Sequence, residues 1–453
     1  MRQLVLLATV LVLAGGCSTY RSFKAPETEA GRICGEDVVM QDAPAEIPSW
    51  REMFPDSHLQ ALIEKGLGAN SDLRIARLNI EQAEASLKAS RLAFLPSFML
   101  SPEGGVGAFK GSEASYTYSL PLTMQWEIDI FGKLRNRKEQ ALAGYLQSEE
   151  YVKMVQTQLI AAIANSYYTL VMLDEQLSIT DASVVNQKNN LETIKAFKEA
   201  GLQNETAVNQ ATASYYDVQA SRKDLEKQIR TVENCMALLV NEPSQHIARS
   251  PFVPGEAFGL TLENGISLEA LANRPDVKNA EYQLRANFYE VNVARSAFYP
   301  SLVLGGSAGW ANSAGGAIVN PGGLLLSAVG SLTQPIFNRG VNQANLKIAK
   351  AQHEQALIAF QKSLLTAGTE VNDALTLCQT SAGKRELRRL QVESNEKALS
   401  NSEELMKHSS GTYLEVLIAQ NAMLMSQLVQ VSDWFEGVQG RINLYKALGG
   451  GIR

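Results

Sequence analysis

Cysteine is scarce. Four occur in 453 residues, at Cys17, Cys34, Cys235 and Cys378, and none is in a C-x-x-C spacing. An exported chain could oxidise a pair, but the spacing and the odd count left beside Cys17 outline no disulfide framework. Cys235 and Cys378 fall in helical patterns, where a small buried apolar role is expected. The four histidines, His58, His246, His353 and His408, are as scattered. None has metal-ligand spacing to another His or Cys, so no metal site is expected. Basic charge is also short: 41 Lys and Arg against 47 Asp and Glu leave a net charge of −6. Without a basic patch, nucleic acid is not an expected partner. "LGGSAGW" is glycine-rich but lacks the lysine and following helix of a phosphate loop. No nucleophile–base pairing stands out, so neither an enzyme nor a cofactor is expected.

Two further absences shape the fold. No proline occurs between Pro121 and Pro243 or after Pro335, and Gly144 is the only glycine between Gly132 and Gly201. Such stretches suit long uninterrupted helices. Val152, Val155, Leu159, Ile163, Leu170, Leu173, Leu177 and Val184 keep three-four spacing, a coiled-coil seam. Leu357, Phe360, Leu364, Val371, Leu375 and Cys378 do the same later in the chain. A helix from Lys133 to Ala200 would reach ~100 Å at 1.5 Å per residue. Gly201 and Gly411 are natural ends for such helices. Return helices would close at Asn241 and Gly449.

The first residues, MRQLVLLATVLVLAGGC, hold Arg2, an apolar core from Leu4 to Leu13 and the small residues Ala14-Gly15-Gly16. The run falls short of the about 20 residues a membrane helix needs, which marks an export signal. Cys17 follows directly, as in bacterial lipoproteins, where it becomes the lipid-carrying first residue. Ser18 fits sorting to the outer membrane. Ala14 stands where such signals usually carry leucine, so a plain secretory signal is the other reading.

From Tyr116 to Ile130 every even position is apolar, and the odd positions are polar except at Pro121. A period of two over so long a stretch predicts one strand of roughly 50 Å, greasy on one face and wet on the other. A soluble sandwich strand has the same alternation, but ordinary strands run only about 5 or 6 residues.

The chain is also written twice. "SDLRIARLNIEQAEASLKASRLAFLPS" and "PDVKNAEYQLRANFYEVNVARSAFYPS" align, with Asp72, Arg91 and Pro96 matching Asp276, Arg295 and Pro300. "GLQNETAVNQA" aligns with "GTYLEVLIAQN". Each copy predicts a helix, a strand pair and a long helical hairpin. The expected division is signal 1–16, N-terminal segment 17–70, first copy 71–241, linker 242–273, second copy 274–448 and tail 449–453. Two strands per copy give four per chain, too few to close a membrane barrel, and an open edge in lipid is costly. The chain is therefore expected to share a barrel with copies of itself, twelve strands for three chains.

"QWEIDIFGKLRN", "RPDV", "QPIFNRG", "GTYLEVLIAQ" and "LYKALGGG" together resemble the TolC-type outer-membrane efflux channels. The likeness runs from about residue 50 onward and is closest to the lipoprotein branch serving resistance-nodulation-division multidrug pumps. It implies a mainly α mixed fold: a homotrimer with a twelve-stranded transmembrane β-barrel continuous with a periplasmic α-helical barrel. It also implies lipidation at Cys17 and hairpin tips at Gly201 and Gly411 that meet a periplasmic adaptor protein. An inner-membrane transporter would supply the energy, and the channel would pass drugs or other small molecules passively. By the same resemblance Glu415 matches the first of two gate acids and Ile418 occupies the second position, while the internal repeat makes Glu205 the counterpart of Glu415 on the other hairpin. Solvated acids in a first helical turn read the same way in sequence. The competing functions are a channel for type I protein secretion and a scaffold lipoprotein that forms no pore.

Overall fold

The computed structural model describes residues 22–26, 48–108, 110–111, 114–253, 271–311, 323–408 and 412–450. Cys17, Cys34 and Gly411 lie outside the described residues. The chain divides into two compact units. One is built around Leu78–Glu150 and Lys278–Lys362, the other around Tyr151–Val277 and Ser363–Arg453.

Three helices open the described chain: α1 (Trp50–Met53), α2 (Ser57–Ala69) and α3 (Ser71–Leu92). Local side chains start them. The Ser49 amide donates to Glu52 Oε2 at 2.8 Å, and Asp56 Oδ1 accepts from the His58 amide at 2.8 Å. After α3 come β1 (Ser97–Leu100), β2 (Glu103–Gly107) and β3 (Ser115–Ile128), all in one antiparallel sheet. The first copy's strand pair thus contains a break. β1 and β2 both run along the same edge of β3, interrupted at Ser101-Pro102, where proline offers no amide to the ladder. The Ser101 amide still reaches the Pro121 carbonyl at 3.2 Å.

β4 (Ser301–Ala311) pairs with β3, and β5 (Gly323–Thr333) with β4. Register turns single-strand alternation into whole faces, because directly opposed residues point the same way. Leu122 faces Leu100 and Ala308, and Ala308 faces Leu326. Trp126 faces Leu304, Leu120 faces Trp310, and Trp310 faces Leu324. One face is therefore apolar across every strand. The other gathers Ser119, Thr123, Gln125 and Glu127 beside Ser307 and Ser327, whose hydroxyls are 2.7 Å apart. The second copy alternates less cleanly because Val303, Leu325 and Val329 fall on this second face, and one of its glycines is sterically required. Gly309 opposes Pro121, and a Cβ there would collide with the Leu120 oxygen and the Pro121 Cα.

The long strand stops at Ile128, two residues before the expected Ile130. Asp129 turns the chain instead: its carboxylate accepts from the amides of Leu134 (3.0 Å) and Arg135 (2.9 Å), starting α4 (Lys133–Glu199). Lys133 Nζ closes back on Glu127 at 2.7 Å. α4 has 67 residues, roughly 100 Å of helix. It is followed by α5 (Glu205–Leu239) of 35 residues. In the second half, α6 (Pro275–Ser296) precedes β4, and α7 (Val341–Lys407) and α8 (Tyr413–Ala447) follow β5 with 67 and 35 residues.

Three helix ends use one motif. After α4 the Leu202 amide donates to the Phe197 carbonyl at 2.8 Å and the Gly201 amide to Lys198 at 3.0 Å, with Gly201 at φ +73°. The same pair of bonds ends α5 with Asn241 at φ +54°, and ends α8 with Gly449 at φ +95°. Asparagine tolerates the left-handed position that glycine fills elsewhere.

The seam of α4 is buried at Val152, Leu159, Ile163, Leu170 and Leu173. Cys235 is not. It is exposed, contrary to expectation, because α5 buries the stripe Glu233, Met236, Ala237 and Val240, and Cys235 points off it with exposed Leu238. Cys378 is half-buried, and both thiols are free.

Candidate functional site

The turns that end α4 and begin α8 belong to the same unit, and they share a core. Leu191 and Ile194 of α4, Ala207, Val208 and Ala211 of α5, and Tyr413 of α8 form one buried cluster. Phe197, Tyr215, Met406 and Leu417 pack against it. Burial raises the Tyr413 hydroxyl above its ordinary pKa. Beside this core, the Asn190 amide nitrogen donates to Gln420 Oε1 at 3.1 Å, linking α4 to α8.

The sequence singled out three residues here, and the structure gives each a definite local setting. Glu205 sits in the first turn of α5, where Asn204 Oδ1 caps the helix by accepting from the Ala207 amide at 3.0 Å. Its carboxylate is ion-paired with Lys198 from the last turn of α4, so the acid spans the bend around Gly201. Glu415 folds back on its own helix start and accepts from the Thr412 amide at 3.2 Å. Ile418 is 60% exposed, one turn on from Glu415, with exposed Leu414 and Met425 along the same side of α8. Glu415 and Ile418 thus share a solvent-facing side of one helix, whereas Glu205 is engaged by a lysine on another. Sequence reasoning passed over Tyr413 and the Asn190–Gln420 amide pair. The signal for Tyr413 was inside the quoted "GTYLEVL", one residue before an exposed position.

Between α4, α7 and α8 runs a groove of about 600 Å³ lined by Asn186, Gln187, Asn190, Thr193, Glu396 and Glu403, among others. Leu399, Met406, Val416 and Leu424 line it as well, so the surface is mixed, amides and acids alternating with aliphatic groups. Among the described residues no group of three or more His, Cys, Asp or Glu could hold a metal ion. No described helix is long and apolar enough to cross a membrane. The apolar sheet face carries Trp126 toward one end and Trp310 toward the other.

Residues 62–242 and 266–450 match the outer membrane efflux protein family. The chain belongs to that family.

Relatives of this outer membrane efflux protein agree over nearly its full length. It is 30% identical to the solvent efflux pump outer membrane protein SrpC of Pseudomonas putida, over 97% of both chains. It is 29% identical to the cation efflux system protein CusC of Escherichia coli K12, over 89% of this chain and 88% of that one. Among solved structures, the open state of the Neisseria gonorrhoeae MtrE outer membrane channel superposes with a TM-score of 0.85 at 27% identity. That match covers 96% of this chain and 99% of the other. CusC gives 0.84 at 26% identity, covering 94% and 99%. The mainly helical architecture is therefore that of these channels, the location is the outer membrane, and the family's work is transport.

Proposed function

We propose that this efflux protein is the exit duct of a tripartite pump, assembled as a homotrimer. The observation that carries the proposal is the sheet. Its order is β1/β2–β3–β4–β5, and among the described residues β1, β2 and β5 each pair on one side only. One face is apolar throughout, so in lipid those open edges would strand backbone groups at several kcal/mol each. Pairing the β1/β2 edge of one chain with the β5 edge of the next satisfies both. Three chains of four strand lines close twelve, with the face of Thr123, Gln125 and Glu127 turned to a wet lumen. The height fits as well. Six residues separate Trp126 from Leu120, which opposes Trp310, about 20 Å of strand between aromatic ends, close to the ~25 Å apolar band of outer-membrane barrels.

Cys17 carries lipid and anchors the chain beside the barrel. The helices project into the periplasm, where the tips at Gly201 and Gly411 meet an adaptor protein and, through it, an inner-membrane transporter of the resistance-nodulation-division class. That transporter selects the cargo, and the duct conducts drugs or other small molecules. Relatives named for solvent, antibiotic and cation efflux fit a duct that does not discriminate. Opening splays the tips, a shift toward the state the adaptor binds better. Glu415 forms a ring of three carboxylates at the constriction, with Ile418 as an apolar ring one turn on. Glu205, held by Lys198, braces the neighbouring bend.

Planar-bilayer recording of the purified full chain tests this. Discrete conductance is expected, as is threefold symmetry in images of the detergent-extracted particle. Glu415→Gln is expected to raise conductance or relieve block by divalent cations. A monomer without conductance would overturn the duct, and a Glu415→Gln channel identical in both measures would remove the gate.

A further inference from the structure

At one end of the apolar sheet face the structure holds a cationic cleft. Trp126 Nε1 donates to the Phe94 carbonyl at 2.8 Å, which fixes the loop after α3 against the last apolar position of β3 before Ile128. Phe94 in turn lines an open cleft with Arg91, Arg135, Lys138 and Glu139. Three cations and one carboxylate line it, and the Asp129 carboxylate lies beside them on the Arg135 amide. Glu139 is already shared, 3.5 Å from Lys138 and 3.4 Å from Arg285, and its side chain is only 16% exposed. The amides of Leu134 and Arg135 are occupied by Asp129, so the cleft offers side-chain charge rather than a bare helix start. Along the chain from Phe94, Leu95 and the β1 residues Phe98 and Leu100, on the apolar face opposite Met124 and Leu122, are all more than half exposed. The second half keeps only part of it: Arg295 matches Arg91, but Gln343 and Leu346 stand at the places of Arg135 and Lys138 when the starts of α4 and α7 are aligned. There the loop carbonyl of Phe298 takes a donor from Gln334 at 3.4 Å, and Asn342 bonds the Ala297 carbonyl at 3.0 Å.

We propose that this cleft binds the phosphate of an anionic glycerophospholipid whose acyl chains lie along the apolar face of the sheet. Arg91 and Arg135 take the phosphate oxygens, Lys138 supplies a point charge beside them, and Trp126 marks the headgroup level. The arrangement is complementary in both parts of the ligand: hydrocarbon meets Phe98 and Leu100, and phosphate meets the basic triad. Free phosphate shares only the second part. The proposal rests on the reading of the sheet as membrane-embedded.

Quenching of tryptophan by brominated acyl chains separates the two claims. The full chain is reconstituted in vesicles containing brominated phosphatidylglycerol or brominated phosphatidylcholine, and the Trp126 share is taken as the difference from Trp126→Phe. Quenching by both lipids is expected, with phosphatidylglycerol favoured at Trp126 on the order of tenfold. In Arg91→Gln/Arg135→Gln/Lys138→Gln the preference should fall to about one, while quenching by phosphatidylcholine stays as it was and shows that the sheet is still embedded. Arg91→Lys/Arg135→Lys should keep most of the preference. No quenching by either lipid would overturn the membrane reading. Equal quenching by both lipids, or a preference that survives the triple substitution, would overturn the cleft alone. Loss of the preference on adding inorganic phosphate would assign the cleft to free anions and likewise overturn the lipid.

Discussion

Arg249 and Arg274 lie toward either end of the segment that joins the two halves, and each is about 95% buried. Their surroundings are built differently. Arg249 grips Asp174 of α4 with two bonds, at 2.5 and 2.6 Å, and reaches Glu233 of α5 at 3.2 Å. Glu233 is itself buried and also accepts from Arg230, His246 and the Ile247 amide. Arg274 holds Asp276 and Glu370, the latter at 2.6 Å, and donates to the Ala447 carbonyl at 2.7 Å, one of the last of α8. In the first half the buried acid belongs to the helix and the segment brings the cation to it. In the second half the segment supplies a cation that caps carbonyls with no helical partner. Removing Arg249 would strand the buried Glu233 away from water, whereas Asp276 and Glu370 each keep about a third of their side-chain surface exposed and would be left wet.

The sharpest way to break the comparison is Arg274→Met, which unpairs Glu370 and uncaps α8. A loss of about 2–3 kcal/mol is expected in denaturant unfolding, from the uncapped Ala447 carbonyl and the lost packing of the arginine stem. A cost under 1 kcal/mol would mean that water replaces the arginine. Glu233→Gln should cost about 2 kcal/mol at neutral pH, because the amide keeps hydrogen bonds but loses the charge. This cost depends on pH. Burial alone would raise the Glu233 carboxyl, yet the donors from Arg249, Arg230 and His246 hold it below its ordinary 4.5. A depressed acid stabilises fully above pH 4.5 and loses that contribution as pH falls through its folded value. Thermal melts of wild type and Glu233→Gln should therefore stay apart at pH 4.5 and converge only as pH falls through the lowered folded value.

The left-handed helix ends refine the contrast. Gly201→Ala forces a Cβ into φ +73° and should cost about 1 kcal/mol, whereas Asn241→Gly should change stability by only a few tenths. Equal costs would show that the two ends are held by different forces. The smallest effect concerns the thiols. Exposed Cys235 should react with maleimide at least about tenfold faster than half-buried Cys378, whose pKa burial raises. Mass spectrometry of the labelled peptides reads the ratio.

Much of the fold was legible because period is a local property. The strand ending at Ile128 and the helix Lys133–Glu199 follow from alternation, three-four spacing and missing prolines. What escaped were features that need a neighbour in space. The break in the first strand line at Pro102 shows only when it lies against β3. The buried side of α5 runs through Glu233, a charged residue that no apolar template would choose, and so Cys235 was set on the wrong face. "RPDV" was visible as a motif, but Arg274's grip on Glu370 and Ala447 joins residues far apart in the chain. At the turns, Glu415 was legible as an acid at a helix start, and its bond to the Thr412 amide is that same fact in three dimensions.

The unpaired rims of the sheet bear on how the protein is made. β1 and β2 on one side and β5 on the other each present a row of free amides and carbonyls, next to an oily surface. On the proposed trimer, a new copy carries both until siblings arrive, so its maturation is expected to follow second- or third-order kinetics in copy number. Slow synthesis would then leave orphans for proteases, and crowded insertion sites would favour finished tubes.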